Sequence, residues 1–420
     1  CYTRAAARRL RGGGGVDVHS VAPRNIPLAP QRRDLLLGAL AHAFPALGID
    51  AGEAQARLAA LQYVFVAMKP PAPSRLHVHH AIMVPELHEA RMLVPAEAMS
   101  AHPRVIVTQT VRDMTLPEVS GDVPKILVIQ RQLVKTRQDW LATMAHIAGK
   151  GWLLVAEWDD HPSLLPPAPR EAWQQHPWLP FSGVHAVQVS TPLLAQALRE
   201  HNPEIAVLPN ALLDLPAPAP RSPETIRIVC AAMARPGLDS LVAGALDAAA
   251  AADPKVCIDI VADTALFQAL ATARKTLHGR MPYAAYLDLL ASADISIMPI
   301  RGDAPERYKS PLKFIEGASR GAACIGSPVL YAGVIEDGVN GLLAETPSQW
   351  TEALLRLVAD EEQRRAIAAA GWLSVRDRHL QAHHVGARLA WYRDLWARRR
   401  YIRSALTARH PEFAPIPTEV

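Results

Sequence analysis

The densest run of chemistry-bearing residues is Glu306-Arg-Tyr-Lys-Ser-Pro-Leu-Lys-Phe-Ile-Glu316, running on to Gly321. Ser310 is a good N-cap, and Pro311 suits the first helical position, where its missing N–H costs nothing. Gly321 is placed to end the helix in a left-handed cap. The spacing therefore predicts a helix of about ten residues (311–320). Its free N–H groups favour an anion. Lys309, just before the cap, and Lys313, on the first turn, suit a diphosphate. Glu316 shares the face of Lys313 three residues on, where a carboxylate can accept two hydrogen bonds from vicinal ribose hydroxyls. The same spacing also describes a capped surface helix with an i,i+3 ion pair.

A second group, Glu157, Asp159, Asp160 and His161, follows the apolar run Trp152–Ala156. Carboxyl ends of strands in open α/β sheets face the ligand crevice, so Glu157, Asp160 and His161 are candidate catalytic residues that orient or deprotonate an acceptor hydroxyl. A solvated loop with a turn cap is the alternative. His77, His79 and His80 lack a third ligand at zinc spacing, so they read as strand residues that pack in or line a cleft, and no metal site is expected. Arg301-Gly-Asp303 reads as a chance tripeptide.

The elements that must position these groups alternate strand and helix. Strands are expected at Leu76–Ile82, Val105–Thr108, Ile126–Ile129, Trp152–Ala156, Val187–Ser190 and Ile205–Leu208, with helices over Glu86–Ser100, Arg137–Ala148 and 192–200. Thr191 caps the last helix and Pro192 opens it. Pro216, Pro218, Pro220 and Pro223 suit an interdomain linker. A second run has strands Ile226–Ala231, Val256–Val261, Ile295–Pro299 and Ala322–Gly326, with helices near 238–251, 265–274, 283–291, 311–320 and 348–358. This alternation implies parallel sheets covered on both faces.

The 420 residues, half of them hydrophobic and a fifth charged, suit two or three globular domains. A net charge of +4 gives no call for nucleic acid. The four cysteines form no CxxC pair, which fits reduced thiols. No apolar run approaches the ~18 residues of a membrane span, and no signal peptide is recognised, so the expectation is cytoplasmic, with the inner membrane face as a variant. The chain opens on Cys1 rather than Met. Residues 32–68 read as helices behind a Gly-rich linker. The Trp391, Tyr392, Leu395 and Trp396 segment reads as a packing helix, with peripheral membrane contact as the second reading.

Lys309–Glu316, followed by Gly-Ala-Ser-Arg-Gly-Ala-Ala-Cys-Ile-Gly-Ser-Pro328, resembles the donor-site segment of GT-B fold glycosyltransferases of the family 4 type, also called glycosyl transferases group 1. Ala293–Pro299 and Ile335–Leu343 resemble the flanking strand and turn, and Val187–Thr191, Val207–Asn210, Ile129–Arg131 and Glu157–Asp160 resemble parts of the family's N-terminal domain. The resemblance implies an α/β chain with two Rossmann-like domains facing a cleft, the GT-B fold, which follow the helical N-terminal extension read from the spacing in 32–68. The divisions expected are residues 1–72 (extension), 73–215 (acceptor domain), 216–378 (donor domain) and 379–420 (helix returning to the acceptor domain, and tail). It implies sugar transfer from a nucleotide-sugar, a substrate rather than a cofactor, to a sugar, lipid-linked or protein hydroxyl, with retention and without metal. Glu316 matches the ribose-binding glutamate, and Lys309, Lys313, Ser310 and Arg235 match donor positions. The sequence departs from the family at Tyr308, where a second glutamate is usual, at Pro236–Gly237, where a lysine is expected, and at Glu306, where a related branch has asparagine. A non-catalytic nucleotide-sugar or partner-binding protein, and an epimerase or phosphorylase on the same fold, are the alternatives.

Overall fold

The computed structural model describes residues 50, 53, 75–85, 89–231, 237–303 and 305–413. The expected helices in 32–68 and the candidate Arg235 lie outside the described residues. Residues 75–420 form one compact unit, separate from residues 1–74, and the larger unit contains two parallel sheets of six strands.

The first sheet comprises β1 (Leu76–Ile82), β2 (Val105–Val111), β3 (Lys125–Gln130), β4 (Leu153–Trp158), β5 (Ala186–Val189) and β6 (Ile205–Val207). Its order is β2-β1-β3-β4-β5-β6, so the chain reverses direction across the sheet between β1 and β3. Strands β3, β4 and β5 are buried at every position, as expected of strands covered on both faces. Helices α1 (Val94–Ser100), α2 (Arg137–Gly149) and α3 (Pro192–Leu198) belong to this half. The Thr191 hydroxyl accepts the Leu194 N–H with Pro192 in the first turn, the cap expected of that sequence. A five-residue π-helical turn, Glu89–Leu93, precedes α1 and replaces the single helix expected over 86–100. Pro95 contributes to this break, since it has no N–H to bond residue 91.

The second sheet comprises β7 (Ile226–Cys230), β8 (Val256–Val261), β9 (Lys275–His278), β10 (Ile295–Met298), β11 (Ala323–Gly326) and β12 (Leu342–Leu343), in the order β12-β11-β10-β7-β8-β9. Here the reversal falls between β7 and β10. Helices α4 (Leu238–Ala252) and α5 (Thr264–Ala269) come first, followed by α6 (Tyr283–Ala291), α7 (Leu312–Ser319), α8 (Pro347–Ala359) and α9 (Glu361–Arg378). Strand β9 is a correction to the sequence reading, which ran a helix over 265–274 and no strand after it. Its two central positions, Thr276 and Leu277, are exposed, so an edge strand of this kind shows no apolar run to read.

Two further helices, α10 (Gln381–Ala397) and α11 (Arg399–Arg409), return to the first sheet. Leu389, Tyr392, Leu395 and Trp396 of α10 enter the same core cluster as Leu76, Val78, Ile126 and Val155. The aromatic helix therefore packs as expected. No helix among the described residues is long and apolar enough to cross a membrane.

Candidate functional site

The segment that carries the donor-site motif starts one residue later than its sequence suggests. The helix opens at Leu312, with Pro311 at its N-cap and no side-chain cap. Ser310 does not cap it. Its Oγ instead accepts a 2.6 Å hydrogen bond from Asn210 Nδ2, from the end of the first half of the unit. The C-terminus follows expectation. Gly321 has φ 78°, its N–H reaches the Ala318 carbonyl at 3.0 Å, and the Ala322 N–H reaches Gly317 at 3.2 Å, which is a Schellman cap. A side chain at Gly321 would also meet Pro218 at 2.6 Å.

Glu316 is 1 % exposed but does not point into an apolar core. Tyr286 donates to its Oε2 at 3.1 Å, and Lys313 Nζ stands 3.2 Å from the same oxygen and 4.1 Å above the Tyr286 ring. Tyr283 lies close enough to the same carboxylate to feel its charge. Burial first, and then the Glu316 charge, push both phenols well above their ordinary range, so they remain donors at any working pH. A ribose reaching this carboxylate must therefore compete with Lys313 and Tyr286. Residue spacing shows the Lys313–Glu316 pair, but the tyrosines, from the first turn of α6, were missed.

At the carboxyl edge of the first sheet, the three candidate acids and bases part company. Glu157 is 1 % exposed and spent on structure. Arg91 Nε and Nη2 bind its two oxygens at 2.7 and 3.0 Å, and Gln188 donates to it as well. Arg91, itself buried, also donates to the Leu208 carbonyl at 2.5 Å and to Asn210 Oδ1 at 3.0 Å. The expectation that Glu157 reaches an acceptor is corrected, because its side chain alternates to the face covered by α10. Asp159 and Asp160 lie just beyond the end of β4. Arg131, at φ 43°, bonds Asp159 at 2.7 Å and Asp160 at 3.0 Å. Asp160 takes a further 2.9 Å bridge from Lys309 of the other sheet's half. Burial opposes the Asp160 charge, but Lys309 and then Arg131 overcome it and hold the carboxyl below its usual range.

His161 is half-buried, and that burial lowers its pKa. Its Nδ1 lies 2.7 Å from Ser163 Oγ, and its ring stacks on Tyr308 with centroids 4.9 Å apart and planes 23° from parallel. The strand histidines are packing residues. His79 bonds Thr108 and Thr110, and His80 is fully buried, bonded to the Met92 carbonyl and pushed down to about 3, chiefly by burial. Among the described residues no group of His, Cys, Asp and Glu could hold a metal.

A cavity of ≈ 310 Å³ opens at the carboxyl edge of the second sheet, where β7 and β10 diverge. Its lining includes Gly237 and Ser240 at the start of α4, Arg301 after β10, and Ser327 after β11. This is the switch point at which open α/β sheets bind ligands. Gly237, at φ 78°, is the N-cap of a 15-residue helix with no side-chain cap, a kind of helix start whose first-turn N–H groups favour an anion. A Cβ at Gly237 would fall against Arg301 Nη1. Glycine accepts this left-handed backbone without strain, and the Arg301 guanidinium, at the end of a flexible side chain, lies against it. Arg301, dismissed with its tripeptide in the sequence, is thus a cation beside a helix start, a juxtaposition between residues 64 positions apart that spacing cannot show.

The same part of the chain, residues 226–390, matches the family model described as glycosyl transferase-like. No curated protein matches the chain. Among solved structures, sucrose-phosphate synthase from Thermosynechococcus elongatus aligns with a TM-score of 0.55 at 15 % identity, over 77 % of this chain and 100 % of that one. Anabaena HepE, solved in complex with UDP and glucose, aligns at 0.54 and 13 % identity, over 75 % and 98 %. A glycosyltransferase from Rickettsia africae aligns at 0.50 and 12 % identity, over 76 % and 98 %. Against TarM and the pneumococcal O-GlcNAc transferase GtfA the chain spans only a little over half of their length, 54 % and 56 %. The three likenesses at a TM-score of 0.50 or more show the fold. The glycosyl transferase-like domain and the sheet before it form the two Rossmann-like halves of a GT-B fold, as the motif resemblance implied.

Proposed function

We propose that the protein transfers a sugar from a nucleotide-sugar donor to a hydroxyl acceptor. The observation that carries this is the cavity at the second sheet's switch point, set in the glycosyl transferase-like domain and flanked by the uncapped start of α4 and Arg301. In this reading the helix start and Arg301 offset the charge that develops on the leaving diphosphate, together with Lys309 and Lys313. Such electrostatic work by side chains and amides fits a metal-independent reaction. Retention of anomeric configuration follows the family resemblance. Glu316 takes the donor ribose once Lys313 swings toward the phosphates. The HepE complexes with UDP and glucose and with UDP-glucose make uridine nucleotides the first donors to try.

The acceptor proton falls to His161 rather than to Glu157 or Asp160, because the former carboxylate is buried under Arg91 and the latter is neutralised by two cations. A neutral imidazole is the working form of a general base. Burial lowers the His161 pKa from its ordinary value, so the fall in kcat/KM as the ring takes up its proton is expected at lower pH than for a free imidazole. His161→Ala should lower kcat by roughly 10²–10⁴. A rate that already halves between about pH 8 and 7 with this group as the base contradicts the assignment.

The test of the function is a thermal-shift screen with UDP, GDP and ADP, followed by transfer and hydrolysis assays with sugar nucleotides of whichever base binds. A shift of several degrees with one nucleotide, and turnover of its sugar form, is expected. A second reading, a protein that binds a nucleotide-sugar without turnover, is favoured by Tyr308 in place of the family's glutamate and by the Lys309–Asp160 bridge. Binding without transfer or hydrolysis selects it, and no binding of any nucleotide sinks both.

A further inference from the structure

The loop that leaves β10 touches both halves of the GT-B unit. Near its start the Ile300 N–H is held by Ser327 Oγ at 2.8 Å, and Arg301 lines the cavity. Near its end three consecutive residues are each tied to the first half. Thr191 Oγ1 donates to the Tyr308 carbonyl at 2.9 Å, Lys309 Nζ meets Asp160 Oδ1 at 2.9 Å, and Asn210 Nδ2 donates to Ser310 Oγ at 2.6 Å. The Tyr308 ring lies on His161 and packs against the apolar core of the first half. The next residues are the N-cap and first turn of α7, which bears Lys313 and Glu316.

We propose that residues 308–310 are an interdomain latch, and that Lys309 is its release point because Asp160 and the donor's diphosphate compete for the same ammonium. This rests on the donor reading above and deepens it. A charge-assisted hydrogen bond is stronger than the neutral ones beside it, so Lys309–Asp160 is the strongest polar tie of the three. A diphosphate carries more charge than one carboxylate, and it arrives at the switch point reached by the same loop. Moving Lys309 from Asp160 to phosphate slackens the loop, lifts Tyr308 from His161, and leaves Asp160 with Arg131 alone. The acceptor side then opens only when a donor is seated. Tyr308 takes part through its ring, which the glutamate usual at this position in the family lacks.

The two partners of the bridge have opposite expected effects on ligand affinity. The full chain is titrated with UDP and, separately, with inorganic pyrophosphate, while hydrogen–deuterium exchange follows the amides of 306–315. Asp160→Asn removes the competitor, so both ligands should bind roughly three- to tenfold more tightly, and the amides of 306–315 should exchange faster than in the wild type. Lys309→Met removes the shared cation, so both ligands should bind more weakly while the same amides again exchange faster. If the wild type binds and Asp160→Asn leaves the affinity equal or weaker, the competition is wrong and the donor reading stands. If exchange at 306–315 is unchanged in both variants, the latch is wrong. Failure of the wild type and both variants to bind UDP and pyrophosphate overturns the donor reading, and the competition with it.

Discussion

Glu157→Ala is expected to lower the unfolding free energy by about 3–5 kcal/mol, because it leaves Arg91 as a buried, uncompensated cation. Arg91 is 2 % exposed and Glu157 1 %, and they share a two-point contact between residues 66 positions apart. Arg91→Ala should cost a similar amount. The double change Arg91→Met with Glu157→Leu should cost clearly less than the sum, since no bare charge then remains inside. Urea unfolding followed by tryptophan fluorescence measures all three, and buried Trp152 and Trp158 lie in the same half. The result also separates two roles for Glu157. A variant that keeps its stability to within about 1 kcal/mol but loses turnover would restore Glu157 as a reacting carboxylate, against its typical cost as a buried pair.

Donor affinity should fall roughly ten- to hundredfold in Glu316→Ala, which corresponds to losing about 1.5–3 kcal/mol of charge-assisted hydrogen bonding. Lys313→Ala should fall by a similar factor through the phosphates. Calorimetric titration with the nucleotide found in the thermal-shift screen is the measurement. Tyr286→Phe is the control, because it removes one hydrogen bond from Glu316 while leaving the carboxylate and Lys313 in place. Its affinity should change far less than that of Glu316→Ala. Equal affinity in wild type, Glu316→Ala and Lys313→Ala would mean that the pair is only a helix-face ion pair, and the donor would then have to be held by the cavity at Gly237 and Arg301 alone.

The two experiments bear on opposite sides of the cleft, and their contrast explains why the site was only half readable. Lys313 and Glu316 are three residues apart, so their encounter is fixed by helical geometry. The Thr191–Pro192 helix start and the Gly321 stop are local in the same way, as is the alternation of apolar strands with helices that announces two parallel sheets. These features depend on bonds that span a few residues, and composition and spacing are enough to specify them. The start of α7 shows where that ends. Ser310 has the chemistry of a cap, but Asn210, 100 positions earlier, takes its hydroxyl.

What the chain order alone determined is therefore the alternating architecture, the helix that carries Lys313 and Glu316, and the placing of acids and a histidine at a strand's carboxyl end. Tertiary structure decided what each of them is for. It buried Glu157 against Arg91, set Lys309 on Asp160 across 149 positions, laid Tyr308 on His161, and put Arg301 over Gly237. The physical reason is that a side chain's direction follows from its own backbone, whereas its partner is chosen by how sheets and loops pack at long range.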